Sequence, residues 1–253
     1  MIENGENAEV NGFTLINNEN GINIPLEDYP DNAGGGIYLD WECYVILANC
    51  IIRNCFSKWG GGLAINRGAY CEINNVRIFN NRALIMGGGL FLGEGIITFN
   101  QTNLCSIYNN IAAMGMDMYF HEYLEPPLIY LEMSSVLLSE PEYFFVTEQY
   151  SPDISINCES SYFSLINADL YVAPWGDDNN SGLNENEPLQ TITYAMQIIE
   201  PDSLNPKTIH LAEGTYSYSQ NGQIFPSIFL TNQNAIPRCL LRACLHRWHS
   251  IHC

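Results

Sequence analysis

Three triple-glycine blocks, each followed by a short apolar alternation, constrain this chain more than any other feature. They are Gly34-Gly35-Gly36-Ile37, Gly60-Gly61-Gly62-Leu63 and Gly87-Gly88-Gly89-Leu90, and a fourth block, Gly115-Met116-Asp117-Met118, keeps only the leading glycine. The leading glycines are 26, 27 and 28 residues apart. A repeat of that length is one supersecondary unit, which buries its apolar face only by stacking on copies of itself.

Aligned on the glycines, each unit shows three short apolar segments. The first is Ile37–Leu39, Leu63–Ile65 or Leu90–Leu92, and the second is Tyr44–Ile46, Cys71–Ile73 or Ile96–Phe99. The third ends in asparagine, as in Ile51–Asn54, Val76–Asn81 and Ser106–Asn110, and residues 10–18 match this third segment from a preceding unit. Period-2 alternation in pieces this short predicts three strands per coil of an all-β, parallel β-solenoid with about 27 residues per coil. A helical repeat would reject triple glycine, at about 1 kcal/mol per residue. Stacked coils lie ~4.8 Å apart, so a corner must repeat the same tight path in each. Gly34, Gly60 and Gly87 are therefore expected as structural corners. Asn54, Asn81 and Asn110 are expected at another corner, tolerating left-handed backbone and linking their amides into a ladder. Pro25 to Asn32 reads as a loop leaving the repeat.

The chain has 253 residues, 47% of them apolar, which supplies ample core. Nine Lys+Arg against 28 Asp+Glu give a formal charge of −19. Such a surface repels nucleic acid and anionic membranes, so no nucleic-acid partner is expected. No apolar run reaches membrane-spanning length. The nine cysteines show no CxxC pattern and sit mostly in strand-like contexts, where they read as small buried hydrophobes.

Regularity fades after about residue 120. Residues 121–168 contain no glycine and many aromatics, and are expected to form an aromatic-rich terminal cap or linker. A different pattern begins at Leu170. A short strand runs into an acidic, glycine-bearing loop at 176–187, and then into a helix with Ile192, Ala195, Met196 and Ile199 on one face. The strand Thr208–Leu211 and a turn at Glu213–Tyr216 follow.

In order, Tyr171, Val172, Pro174, Gly176, Asp178, Asn180, Gly182, Pro188, Thr191, Ile192, Ala195, Ile209, Leu211, Gly214 and Tyr216 trace one motif. This motif resembles the N-terminal cap of bacterial right-handed parallel β-helix proteins of the pectin-lyase-like superfamily, and the glycine–asparagine coils are similar to that superfamily's repeat body. The resemblance covers about half of the chain. It implies a right-handed β-helix, a cap that starts a second β-helix, and a secreted or cell-surface location, although Met1–Asn7 has no signal-peptide character.

The expected organisation is thus 1–120 as C-terminal coils of a first β-helix, 121–168 as cap or linker, 169–232 as cap and first coil of a second β-helix, and 233–253 as an anomalous tail. The tail holds three of the nine basic residues, three of the five histidines and three of the nine cysteines. It reads as an end out of frame in a piece of a longer parent chain. The alternative is a metal site using Cys239, Cys244, His246, His249, His252 and Cys253, whose spacings fit no standard zinc module.

Superfamily members that cleave polysaccharides use carboxylates on one sheet, with Ca²⁺ and a basic residue in lyases, or an Asp pair near Gly-His-Gly in hydrolases. No Gly-His-Gly occurs here. The candidate catalytic residues are Asp40 and Glu42, two apart at a strand end and so expected on one face, with Arg67 as the nearby cation; Arg77 and Arg82 also fall on neighbouring coils. The pair could bind a cation or a uronate, or form a solvated corner of ion pairs. Asp177, Asn179, Ser181 and Glu185 occupy positions of a calcium loop, but Pro188 stands where the bidentate carboxylate belongs. Calcium is therefore the one cofactor to consider, against a plain hydrogen-bonded turn. The function expected is a non-catalytic, adhesin-like or glycan-binding module with a glycan or cell-surface partner. The alternatives are a polysaccharide lyase or hydrolase fragment and a purely structural spacer.

Overall fold

The computed structural model describes residues 7–16, 33–121, 127–135, 145–147, 155–200, 204–217, 222–224, 240–242 and 248–252. The chain divides into two compact units, Met1–Tyr162 and Phe163–Cys253.

The first unit is a parallel β-solenoid of about four turns, with roughly 27 residues per turn. Two of the turns pass through four strands rather than the three that the apolar pattern predicts, and in the next turn Ile111 and Met114 keep only isolated bridges at the fourth place. In the best-formed turn these are Leu63–Ile65, Tyr70–Asn74, Arg77–Phe79 and Arg82–Met86. The additional strand, Arg82–Met86 or Phe56–Trp59 one turn earlier, lies just before the glycines. It carries little apolar alternation because Ser57 and Lys58 break the pattern.

Register is maintained from turn to turn by parallel pairing. Leu63, Ala64 and Ile65 sit opposite Ile37, Tyr38 and Leu39 on one side and Leu90, Phe91 and Leu92 on the other. Inward side chains then repeat in columns. Leu63, Ile65, Cys71, Ile73 and Ile78 of one turn and Leu90, Leu92 and Ile107 of the next are all essentially inaccessible to solvent. The cysteines at 43, 50, 55, 71 and 105 are free and buried in this core. Burial pushes the Cys105 thiol up to about 11 and Cys71 higher still, so both are core residues rather than nucleophiles.

Strands Leu128–Ser134 and Ser155–Ser161 extend the sheet of Arg77–Phe79 and Cys105–Tyr108, and Phe145–Thr147 extends that of Leu90–Leu92 and Met118–Phe120. Strand pairing of the coils thus runs on through the stretch expected as a cap. Of its aromatics, Tyr162 is 43% exposed and stacks on Tyr108. Pro25 to Asn32, Tyr143 and Phe144 lie outside the described residues.

The three glycines of a block divide the work. The leading one takes the left-handed backbone, with φ of 65°, 60°, 62° and 59° at Gly34, Gly60, Gly87 and Gly115. The second and third are constrained by space: a Cβ on Gly61 would strike the carbonyl oxygens of Gly88 and Arg82, and one on Gly62 would lie 2.9 Å from Asn81 Nδ2.

The asparagine expectation is corrected by one position. Arg53 pairs with Phe79, and Phe79 with Tyr108, so Asn54 lies in column with Asn80 and Asn109, not with Asn81 and Asn110. Asn54, Asn80 and Asn109 are the left-handed corner, with φ of 54°, 55° and 53°. Asn81 and Asn110 come next, turn inward and are fully buried. There Asn81 Oδ1 accepts the Cys55 N–H at 3.0 Å, and Asn81 Nδ2 donates to Asn110 Oδ1 at 3.0 Å.

In the second unit, Leu170–Val172 pairs in parallel with Thr208–Ala212, and the helix Ile192–Ile198 lies between them in sequence. The motif residues are pins. Asp178 accepts the backbone N–H of Gln190 and Thr191 and the Thr191 hydroxyl, each at 2.8 Å. Thr191 in turn caps the helix by accepting from Tyr194 N at 3.1 Å. Tyr216 donates to the carbonyls of Val172 and Ala212. Ile192, Ala195, Ile198 and Ile199 are buried, while Met196 is only half-buried. The backbone of Trp248–His252 pairs antiparallel with Thr208–Ala212, and that of Leu240–Arg242 pairs antiparallel with Trp248–His252 at the sheet's edge.

Candidate functional site

Almost every left-handed residue among those described is glycine or asparagine, the types that adopt that backbone cheaply. The exceptions are Trp41, Glu42 and Arg67, with φ of 53°, 55° and 44°. All three belong to a single corner, the one after the Ile37–Leu39 and Leu63–Ile65 strands. Each costs about 1–2 kcal/mol relative to a right-handed conformation, and strain of this kind collects at functional sites.

Stacking of the coils assembles the corner. Asn66 N donates to Leu39 O, and Glu42 N to Arg67 O, so residues 40–42 lie over 66–68. Arg67 Nη1 reaches Asp40 Oδ2 at 3.0 Å, and the guanidinium sits 4.7 Å from the centre of the Trp41 ring. Trp41 remains 58% exposed. Glu42 and Glu94 are exposed at the same corner. Beneath them, the Tyr38 hydroxyl faces the Asn66 and Asp40 side chains. Burial, with Asp40 alongside, pushes that hydroxyl up to about 12, so it keeps its proton.

The structure therefore brings Asp40 and Arg67 together, and places Trp41, absent from the sequence candidates, between the carboxylates in sequence and against the arginine. It corrects the premise for Glu42. The strand ends at Leu39, and two left-handed residues follow, so strand alternation does not put Asp40 and Glu42 on one face. Glu42 instead packs towards Gly68, where an added Cβ would lie 3.2 Å from Glu42 Cγ. Arg77 is elsewhere, bonded to the Tyr108 hydroxyl at 2.8 Å and lying over Phe79, and Arg82 lies on the strand before the glycines. No sequence signal announces the corner, because nothing in a Trp-Glu pair reports a positive φ.

The acidic loop of the second unit is held by its own hydrogen bonds. Asp177 Oδ1 accepts from Asn179 N and Nδ2 at 2.9 and 2.7 Å, and Ser181 Oγ donates to Glu187 Oε2 at 2.9 Å. Glu185 is exposed, and none of these bonds joins it to Asp177, Asn179 or Ser181. Among the described residues, no group of three or more His, Cys, Asp or Glu side chains is placed to hold a metal. Cys239, Cys244, His246 and Cys253 lie outside the described residues, and of His249 and His252 only the backbone is described. No helix among the described residues is long and apolar enough to cross a membrane.

No curated protein and no solved structure matches the chain. Residues 175–236 match the family described as Protein of unknown function (DUF1565), a family associated with β-helix proteins.

Proposed function

We propose that this chain is a non-catalytic, adhesin-like β-helix module that binds glycan outside the cell, in a secreted protein or at the cell surface. The observation that carries the reading is the Trp41 corner. An exposed indole, fixed by Arg67 and kept in a costly backbone conformation, offers the flat apolar face on which a sugar ring stacks. Location and superfamily rest on the cap motif of residues 170–218, which the family match at 175–236 overlaps. On that basis we read the coils as a right-handed helix of the pectin-lyase-like type, and 169–232 as the cap of a second one.

An enzymatic reading would employ Asp40 with Arg67. Their 3.0 Å ion pair engages both side chains with each other, which suits a positioning role better than proton transfer. A glycan-array screen of the full chain, beside turnover assays on polygalacturonate and alginate with and without Ca²⁺, tests the proposal. Binding that is lost in Trp41→Ala, without turnover, is the expected result. Turnover abolished by Asp40→Ala would replace the proposal with a lyase or hydrolase. Neither binding nor turnover would leave a structural spacer.

A further inference from the structure

A chain of contacts crosses three coils and ends on the Trp41 ring. It starts where the Glu94 N–H donates to Asn66 Oδ1 at 3.2 Å, which fixes the orientation of that amide. The Tyr38 hydroxyl faces the Asn66 amide and the Asp40 carboxylate. Tyr38 Oη, Asp40 Oδ1 and Asn66 Nδ2 are buried and make no hydrogen bond of standard geometry, so they are matched to one another. The other Asp40 oxygen, Oδ2, takes Arg67 Nη1 at 3.0 Å, and the Arg67 guanidinium lies 4.7 Å from the centre of the Trp41 ring.

The directions of these contacts agree with the chemistry of the groups. A phenol that keeps its proton donates to a carboxylate and accepts from an amide N–H, and the carboxylate accepts from phenol and guanidinium alike. Every link therefore aims Asp40 at Arg67. Arg67 needs such a holder, because its long side chain has many rotamers and a cation resting on an exposed ring is held weakly by the ring alone. The Arg67 side chain is 29% exposed and that of Asp40 only 14%, so the better-buried partner selects the rotamer that lays the guanidinium over the indole. The guanidinium covers one face of the ring, and Trp41 still keeps 58% of its surface for a ligand.

We infer that Asp40 is a positioning residue for the ligand of this corner: it holds Arg67 against the Trp41 ring and touches no ligand atom itself. Asp40 and Trp41 come from one coil and Arg67 from the next, with Glu42 N donating to Arg67 O between them, so the stacking of two coils sets the ring. The inference rests on the glycan-binding reading and adds to it how the platform is pre-organised. An indole already held in one orientation loses less freedom when a sugar stacks on it.

The test titrates the full chain, as wild type, Asp40→Asn, Arg67→Asn and the double variant, with the oligosaccharide that the wild type binds. Asparagine suits the left-handed backbone of Arg67, so Arg67→Asn removes the guanidinium without adding strain. Acrylamide quenching follows the ring without ligand, taken as the difference from Trp41→Phe because the chain has four tryptophans. The expected result is an affinity about three- to tenfold lower in each single variant, a Trp41 ring more open to quenching in both, and no further change in the double variant. Such non-additivity separates action through Arg67 from a general contribution to the fold, which would add. A further loss in the double variant would overturn the inference by giving Asp40 an effect of its own. Unchanged affinity and quenching in Asp40→Asn would also overturn it and leave the glycan-binding reading standing. If the wild type binds no oligosaccharide, the glycan-binding reading falls, and the quenching comparison decides whether Asp40 sets the ring.

Discussion

Asn110 and Asp117 meet inside the solenoid, where the Asn110 side-chain amide donates to Asp117 Oδ1 at 2.9 Å and neither residue is exposed. Asp117 stands in the column of Gly62 and Gly89, the third glycines of their blocks, since Gly89 N donates to Asp117 O as Gly62 N does to Gly89 O. A carboxylate thus terminates the buried ladder that runs from Asn81 through Asn110, with Ser135 N donating to Asp117 Oδ2 at 3.2 Å.

That burial makes stability depend on pH. Desolvation raises the Asp117 pKa from 3.8 to about 7, against the opposing effect of its hydrogen bonds from Asn110 and Ser135. An acid with a raised folded pKa keeps its proton in the folded chain after the unfolded chain has lost it. Between about pH 4 and 7 the folded state therefore binds more protons, and stability falls as pH rises across that window before levelling off. Thermal unfolding from pH 4 to 8 should show this fall, worth up to a few kcal/mol, and Asp117→Asn should flatten it. Equal slopes in the two proteins would mean that Asp117 is already ionised in the folded state.

The one-residue correction to the asparagine register has its own consequence. Asn81 satisfies Cys55 N, Ile52 O and Asn110 Oδ1, all buried, whereas Asn80 is exposed and left-handed. Asn81→Ala should cost about 3 kcal/mol or more in urea unfolding, by leaving several buried groups unsatisfied. Asn80→Gly should stay within about 1 kcal/mol of wild type, because glycine adopts the same backbone freely.

These residues show what was legible in the sequence. The coil length and the glycine corners were, because a three-residue glycine block at near-constant spacing has few alternatives. The asparagine register was not, since the adjacent pairs Asn80-Asn81 and Asn109-Asn110 accept either alignment and only strand pairing chooses between them. The fourth strand was hidden by Lys58, which is 8% exposed and lies 4.3 Å from the centre of the Trp59 ring, a burial that residue type does not announce. Of the candidate site, the Asp40–Arg67 pairing followed from coil spacing. The strain at Trp41 is a tertiary property with no local sequence signature.

The division of labour among the glycines can be separated by two substitutions. Gly61 has no left-handed φ, yet its neighbours are backbone oxygens of the same and the next coil, which cannot give way. Gly12 has a φ of 75° but nothing within 4 Å of an added Cβ. Gly61→Ala should cost about 3 kcal/mol or prevent folding, and Gly12→Ala about 1 kcal/mol. Similar costs at both positions would show that the backbone around Gly61 gives way to admit a Cβ.

In the second unit, Trp175 is 67% exposed beside the acidic loop and serves as its reporter. With the Asp177 carboxylate engaged by Asn179 and Ser181 by Glu187, calcium up to about millimolar should leave Trp175 emission unchanged. A saturable change would show that the loop reorganises around the ion.

The Trp41 corner should trade stability against binding. Trp41 pays for its left-handed backbone with nothing buried in return, since its ring is more than half exposed and its contact with Arg67 is a surface cation–π pair. Asparagine accepts that backbone, as at the five asparagine corners Asn49, Asn54, Asn75, Asn80 and Asn109. Trp41→Asn should therefore leave stability unchanged or raise it by up to about 1 kcal/mol, because relief of the strain offsets a contact worth about 0.5–1 kcal/mol. The same variant should bind whichever oligosaccharide the wild type binds at least about tenfold more weakly. Glu42→Asn supplies the control, relieving strain at the adjacent residue while the indole remains, and should keep the affinity. Urea unfolding and calorimetric titration of the two variants decide the matter: a Trp41→Asn protein that is less stable yet binds normally would make the indole a structural residue and move the ligand site elsewhere.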